Sequence, residues 1–150
     1  HFNAIPMGYL SGAWIALEDV NQDNGALNVI EGSHKLKDID FFDLKNSIPK
    51  NLNEAKENYR LYERYIAQLI ETKKLDRKIL DLKKGEVIIW SASLLHGGGK
   101  IINKKRTRYS QVTHYHYDGC ETYYHPFFSN PLKGKFYPRN IKDLDIRHLL

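Results

Sequence analysis

The sequence predicts an antiparallel β sandwich or barrel carrying one long helix, and three observations predict it. Short apolar or alternating runs recur along the chain, each closed by a cluster of Gly, Asn, Asp or Ser. Only one stretch, Glu54 to Lys73, places its apolar residues at helical spacing. The order is strands, a helical insert, then strands again, without the regular strand-helix alternation that a parallel sheet requires.

The elements follow in order. SGAWIALEDV, residues 11–20, sets Ala13, Ile15 and Leu17 on one face and Gly12, Trp14 and Ala16 on the other, the pattern of a strand buried on both sides. NQDNG then predicts a tight turn at Asn24-Gly25, with ALNVI returning as the second strand of a hairpin. Gly32, Ser33 and His34 shape the next turn, and the polar segment from Lys35 to Asn53, with Pro49 near its end, is an excursion. In the helix, Ala55, Tyr59, Tyr62, Ile66, Leu69 and Ile70 make one apolar stripe, which requires a packing partner. KILDL, KKGE and VIIW read as strand, turn and strand, and Thr107 to Tyr117 as a long alternating strand. The aromatic tail YYHPFFSNPLKGKFYPRN is interrupted by proline and glycine, which argues against regular structure there.

Composition sets bounds on function. A chain of 150 residues with 41% apolar and 12% aromatic residues can bury one real core, so residues 1–150 are expected to form a single domain. No apolar run is long enough to span a bilayer, and the N-terminal residues lack a secretory layout, so no membrane attachment is expected. The single cysteine, Cys120, excludes an internal disulfide and any CxxC metal site and suits a reducing, cytoplasmic compartment. The net charge of +5 comes from 23 Lys+Arg against 18 Asp+Glu, a mixed-sign surface that does not point to nucleic acid. The chain starts at His1, not at methionine, and is expected to be a processed or excerpted piece of something longer.

Strand parity selects the candidate site. Arg108, Ser110, Val112, His114 and His116 share one face of the last long strand, and tyrosines occupy the other. Turned inward, that face lines a polar pocket, and a half-buried arginine in it calls for an anion such as a dicarboxylate or phosphate.

The two segments SGAWIALEDVNQDNGALNVIEGSHK and KKGEVIIWSASLLHGGGKIINKKRTRYSQVTHY resemble the phytanoyl-CoA dioxygenase family of Fe(II)- and 2-oxoglutarate-dependent oxygenases. The resemblance spans roughly Phe2 to Tyr117 and rests on the order of the W-x-A-L-E-D strand, N-G-x-L turn, G-S-H-K turn, L-x-x-G-[DE] unit, H-G-G loop and T-R-x-S strand. It implies a double-stranded β-helix, a jelly-roll of cupin type, here incomplete at its N-terminus and interrupted by the helical insertion. It further implies iron held by an H-x-D pair and a distal histidine, with O2 and a small-molecule substrate as partners and hydroxylation as the reaction. On this resemblance His96 is the distal ligand and catalytic centre, Arg108 pairs with the remote carboxylate of 2-oxoglutarate, Trp14 contacts the same cosubstrate and Ser110 assists it. The triple glycine after His96 would let the backbone leave the strand beside the metal. The family's H-x-D belongs upstream of HFNAIP, so the chain reads as a C-terminal portion without it, inactive on its own; His1-Phe2-Asn3 is a degenerate alternative.

Other readings remain open on the same residues. A non-catalytic barrel would bind a small anion or sugar in this cavity, and a nucleic-acid module would use the basic loop with Tyr109, Tyr115, Tyr117, Tyr123 and Tyr124. His114 and His116 read as pocket-lining or structural, Glu18 and Asp19 as surface carboxylates, and Lys100, Lys104, Lys105 and Arg106 as a solvated charge run. The substrate itself is not legible, and nothing in the chain marks a CoA site.

Overall fold

A computed structural model describes residues 3–6, 8–36 and 49–124. The expectations for His1-Phe2, for residues 37–48 of the polar excursion and for the aromatic tail beyond Tyr124 lie outside the described residues. Tyr123 and Tyr124, expected to be irregular, belong to a short strand because they pair with the N-terminal strand.

The strands are β1 (Asn3–Ile5), β2 (Leu10–Ala16), β3 (Leu27–Ile30), β4 (Arg77–Ile79), β5 (Val87–Ser91), β6 (His96–Gly98), β7 (Ser110–His116) and β8 (Thr122–Tyr124). All pair antiparallel, in the orders β5-β2-β7, β4-β3-β6 and β1-β8. One helix, α1 (Leu52–Thr72), is inserted between β3 and β4. This is the mainly β, jelly-roll architecture with a helical insertion that the sequence predicts. No helix among the described residues is long and apolar enough to cross a membrane.

The hydrophobic core brings the two three-stranded sheets together. Trp14 and Ala16 from β2, Trp90 from β5 and Leu27 from β3 form one buried cluster with Val20, Ala26 and Leu82. Leu80, Ile88 and Leu94 pack against its margin. Register assigns the remaining faces: Gly12 lies opposite Trp90 and His114, Trp14 opposite Ile88 and Val112, and Ala16 opposite Ser110. Cross-strand partners share a face, so Ser110, Val112, His114 and His116 are on the side of the sheet that bears Trp14.

Three local expectations need correction. The β2 and β3 strands are not a hairpin, because they belong to different sheets. A 3-10 turn at Gln22–Asn24 carries the chain from one layer to the other, and only Gly25 has positive φ, at 80°. Asn24 instead turns its side chain inward, where it is fully buried. KILDL and VIIW likewise divide between the two sheets, so a sandwich corner, not a hairpin, joins them. Finally, Arg106 is not simply solvated: it donates from Nη1 to Asn21 Oδ1 at 2.9 Å and from Nη2 to the Asp19 carbonyl at 3.0 Å.

The helix starts earlier than its apolar stripe suggests because Asn51 caps it. The Asn51 Oδ1 accepts from the amides of Asn53 and Glu54, both at 3.0 Å, and Glu54 reaches back to the Lys50 amide at 2.8 Å. Ala55 is buried, while Tyr59, Tyr62, Ile66, Leu69 and Ile70 are half-buried.

Candidate active site

Glycine at position 12 begins the construction of the site. A Cβ there would stand 2.8 Å from the Trp90 indole, so only glycine lets this ring lie against β2. The Trp90 ring in turn lies 4.8 Å, centroid to centroid, from the His96 imidazole, at a 50° tilt. His96 is the first residue of β6 and pairs with Val29 on the edge of the second sheet. Its Nδ1 is 2.8 Å from the Leu94 carbonyl oxygen. A carbonyl only accepts, so Nδ1 carries the proton and Nε2 of the neutral ring keeps its lone pair. The residue is exposed at the strand edge, yet partial loss of water around its ring is the largest effect and pushes its pKa below the ordinary 6.5, with the Leu94 bond opposing.

Arg108 approaches the same strand from the segment that leads into β7. Its guanidinium donates from Nη1 to the Gly25 carbonyl. Cβ atoms added at Gly98 and Gly25 would come within 2.8 and 3.1 Å of that nitrogen. Gly99, whose amide donates to the Ala26 carbonyl at 2.8 Å, has no room for a Cβ either, since one would meet that oxygen at 2.9 Å. The triple glycine is therefore needed for close approach at Gly98 and Gly99, not for a left-handed backbone, which none of the three adopts. Gly97 has open space around it.

A cavity of about 780 Å³ lies beside these residues, bordered by Tyr59, Tyr62, Ile66 and Ile70 of α1 and by His96 and Gly98 of β6. That volume falls in the range of small-molecule sites, about 300–1,000 Å³. Arg108 lies behind the Gly98 wall and is not part of the lining. Trp14 is 5% exposed and belongs to the core next to Trp90, and Ser110 pairs with Ala16 on the inner face. The structure thus brings His96, Trp90, Gly98 and Arg108 together and keeps Trp14 and Ser110 in the supporting layer.

Trp90 and Glu18 were missed as site residues by sequence reasoning. Trp90 ends an apolar run and reads as core. Glu18 reads as a strand-end surface charge, but it accepts from Thr107 Oγ1 at 2.8 Å and from the Tyr109 amide at 2.6 Å. The signal that could have found it is the odd parity of Thr107 and Tyr109, which flank Arg108.

Among the described residues no three His, Cys, Asp or Glu side chains form a group that could hold a metal ion. His96 fits one coordination position, and Arg108 in its glycine cradle fits one carboxylate.

Two antiparallel three-stranded sheets closed on one shared core are the architecture of the double-stranded β-helix class. The chain belongs to the phytanoyl-CoA dioxygenase (PhyH) family, whose model matches residues 2–109. Among solved structures, the non-heme alpha ketoglutarate dependent epimerase SnoN from nogalamycin biosynthesis is similar with a TM-score of 0.51 at 21% identity, covering 82% of this chain and 38% of that one. SnoN in complex with Fe3+, alpha ketoglutarate and nogalamycin RO has a TM-score of 0.48 at 19% identity, over 93% of this chain and 50% of that one. AviO1 from Streptomyces viridochromogenes Tue57 has a TM-score of 0.45 at 17% identity, over 80% and 43%. This chain therefore spans half or less of the length of each of these structures. No curated protein matches it in sequence.

Proposed function

We propose that residues 1–150 form a single domain, the C-terminal portion of an Fe(II)- and 2-oxoglutarate-dependent oxygenase that uses O2 to hydroxylate a small molecule. The single cysteine supports a cytoplasmic setting. His96 supplies one iron ligand through Nε2, and Arg108 takes the remote carboxylate of 2-oxoglutarate. The observation that carries this reading is the His96 imidazole, locked by the Leu94 carbonyl with Nε2 free for a metal, across Gly98 from a half-buried guanidinium.

Iron, when bound with its remaining ligands, supplies the oxidative chemistry; the described residues orient the reactants. The Leu94 carbonyl and the Trp90 ring hold the imidazole plane and tautomer, and loss of water around the ring favours its neutral form, the one that binds metal. Gly25 and Gly98 let the guanidinium reach the interior, where its forked donors suit a carboxylate. Tyr59, Tyr62, Ile66 and Ile70 offer an apolar wall for the substrate.

Succinate formation from 2-oxoglutarate by the full-length protein tests the reading, with iron and O2 supplied. Arg108→Ala removes one partner of a desolvated charge pair, a loss of about 2–5 kcal/mol, so the 2-oxoglutarate requirement should rise well over tenfold with iron binding retained. His96→Ala should abolish iron binding and succinate together. Undiminished turnover in both variants refutes the assignment. Anion binding without any succinate from the unaltered protein would favour the non-catalytic barrel.

A further inference from the structure

We propose that Glu18 is a positioning residue for Arg108, setting the affinity for 2-oxoglutarate without touching it; this rests on the reading of Arg108 given above. The β2-β7 ladder begins at the pair Ala16 and Ser110, so Thr107 and Arg108 lie outside it. Beyond that point Glu18 makes two of the bonds that hold the segment. The two Glu18 carboxylate oxygens accept from Thr107 Oγ1 at 2.8 Å and from the Tyr109 amide at 2.6 Å, gripping the chain on both sides of Arg108. The Leu17 amide donates to the Tyr109 carbonyl at 3.0 Å, and the buried Asn24 Nδ2 donates to the Thr107 carbonyl at 2.8 Å. Thr107 and Tyr109 alternate with Arg108 in parity, so Glu18 grips the chain on the face opposite to the guanidinium. Preorganisation of this kind lowers the ordering cost that the cosubstrate would otherwise meet on binding.

The test is calorimetric titration of 2-oxoglutarate into anaerobic, iron-loaded full-length protein, together with the KM and kcat for succinate formation. Glu18→Ala should raise both Kd and KM for 2-oxoglutarate about tenfold, the scale of freeing one backbone residue, while kcat at saturating cosubstrate changes less than about twofold. Glu18→Gln should recover most of the affinity, because its amide oxygen still accepts from the Tyr109 amide. Thr107→Val deletes only the hydroxyl and should give a smaller rise, which carries the test if Glu18→Ala fails to fold. Wild-type Kd in Glu18→Ala, or in Thr107→Val where only that variant folds, overturns the clamp, as does a Kd left unchanged while kcat and melting temperature fall together. Arg108→Ala separates the two levels. If that variant binds 2-oxoglutarate like wild type, the reading of Arg108 fails and the clamp with it. If Arg108→Ala weakens binding and Glu18→Ala does not, only the clamp fails.

Discussion

At the residue scale, the missing side chains of two glycines have different consequences. Gly98 abuts the end of a long arginine, and Gly12 abuts an indole packed in the core. In Gly98→Ala the new methyl should displace the Arg108 guanidinium, the flexible partner, so stability should change by less than about 1 kcal/mol while 2-oxoglutarate affinity falls. Denaturant melts and a cosubstrate titration on the same protein check both halves; unchanged affinity contradicts the placement of Arg108. Gly12→Ala forces the Trp90 ring against its neighbours and should cost about 1–3 kcal/mol of stability, read from the urea midpoint. A neutral result there would mean that the indole has room to move, which its 7% exposure argues against. Neither contact is legible in the sequence, since a glycine in a run of apolar residues carries no mark of what passes over it.

Elements depend on their ends. The Asn51 cap satisfies two of the first amides of α1, so Asn51→Ala should remove about 0.5–2 kcal/mol, observed as lower helical ellipticity or an earlier thermal transition. Periodicity found the stripe from Ala55 to Ile70 but not the cap, because Asn-Leu-Asn reads as the end of a polar excursion. The turn between β4 and β5 is tied by Asp19, whose carboxylate accepts from the Lys84 amide at 2.9 Å and from Lys83 Nζ at 3.0 Å. The Lys84 bond, followed by the Lys83 bond, holds the Asp19 pKa below its ordinary value. A carboxyl depressed by folding stabilises the native state above its unfolded pKa, about 3.9, and this contribution is lost as pH falls through the folded value. Asp19→Asn should therefore narrow the difference in stability between about pH 7 and about pH 3, measured by urea melts at each. An equal difference in both proteins would count against the turn bonds.

At the scale of the whole molecule, Asn24 joins distant parts of the chain. Fully buried, it donates to the carbonyls of Asp19 at 3.1 Å and Thr107 at 2.8 Å and accepts from the Asn21 amide at 2.8 Å. Removing the side chain strands the Asn21 amide and the Thr107 carbonyl, while Arg106 still serves the Asp19 carbonyl, and at about 1–3 kcal/mol for an unsatisfied buried group Asn24→Ala should be among the most damaging single changes. Chemical denaturation reads the loss, and a change smaller than that of Gly12→Ala would contradict the burial. The position was visible in the sequence as an Asn-Gly turn; its role was not, because the expected hairpin would have pointed Asn24 outward.

What the sequence by itself determined was the alternation, the helical stripe and the parity of β7. Each of these is a local periodicity, set by backbone geometry whatever the partner. Tertiary structure alone decided that β2 and β3 divide between two sheets, that Trp90 meets His96, and that Glu18 grips the flanks of Arg108. The Glu18 bonds span 89 and 91 positions, and even Trp90 and His96, close in sequence, lie on strands of different sheets. These contacts depend on how twisted sheets stack and where corners fall, and a pattern with a period of two or of 3.6 residues carries no term for either.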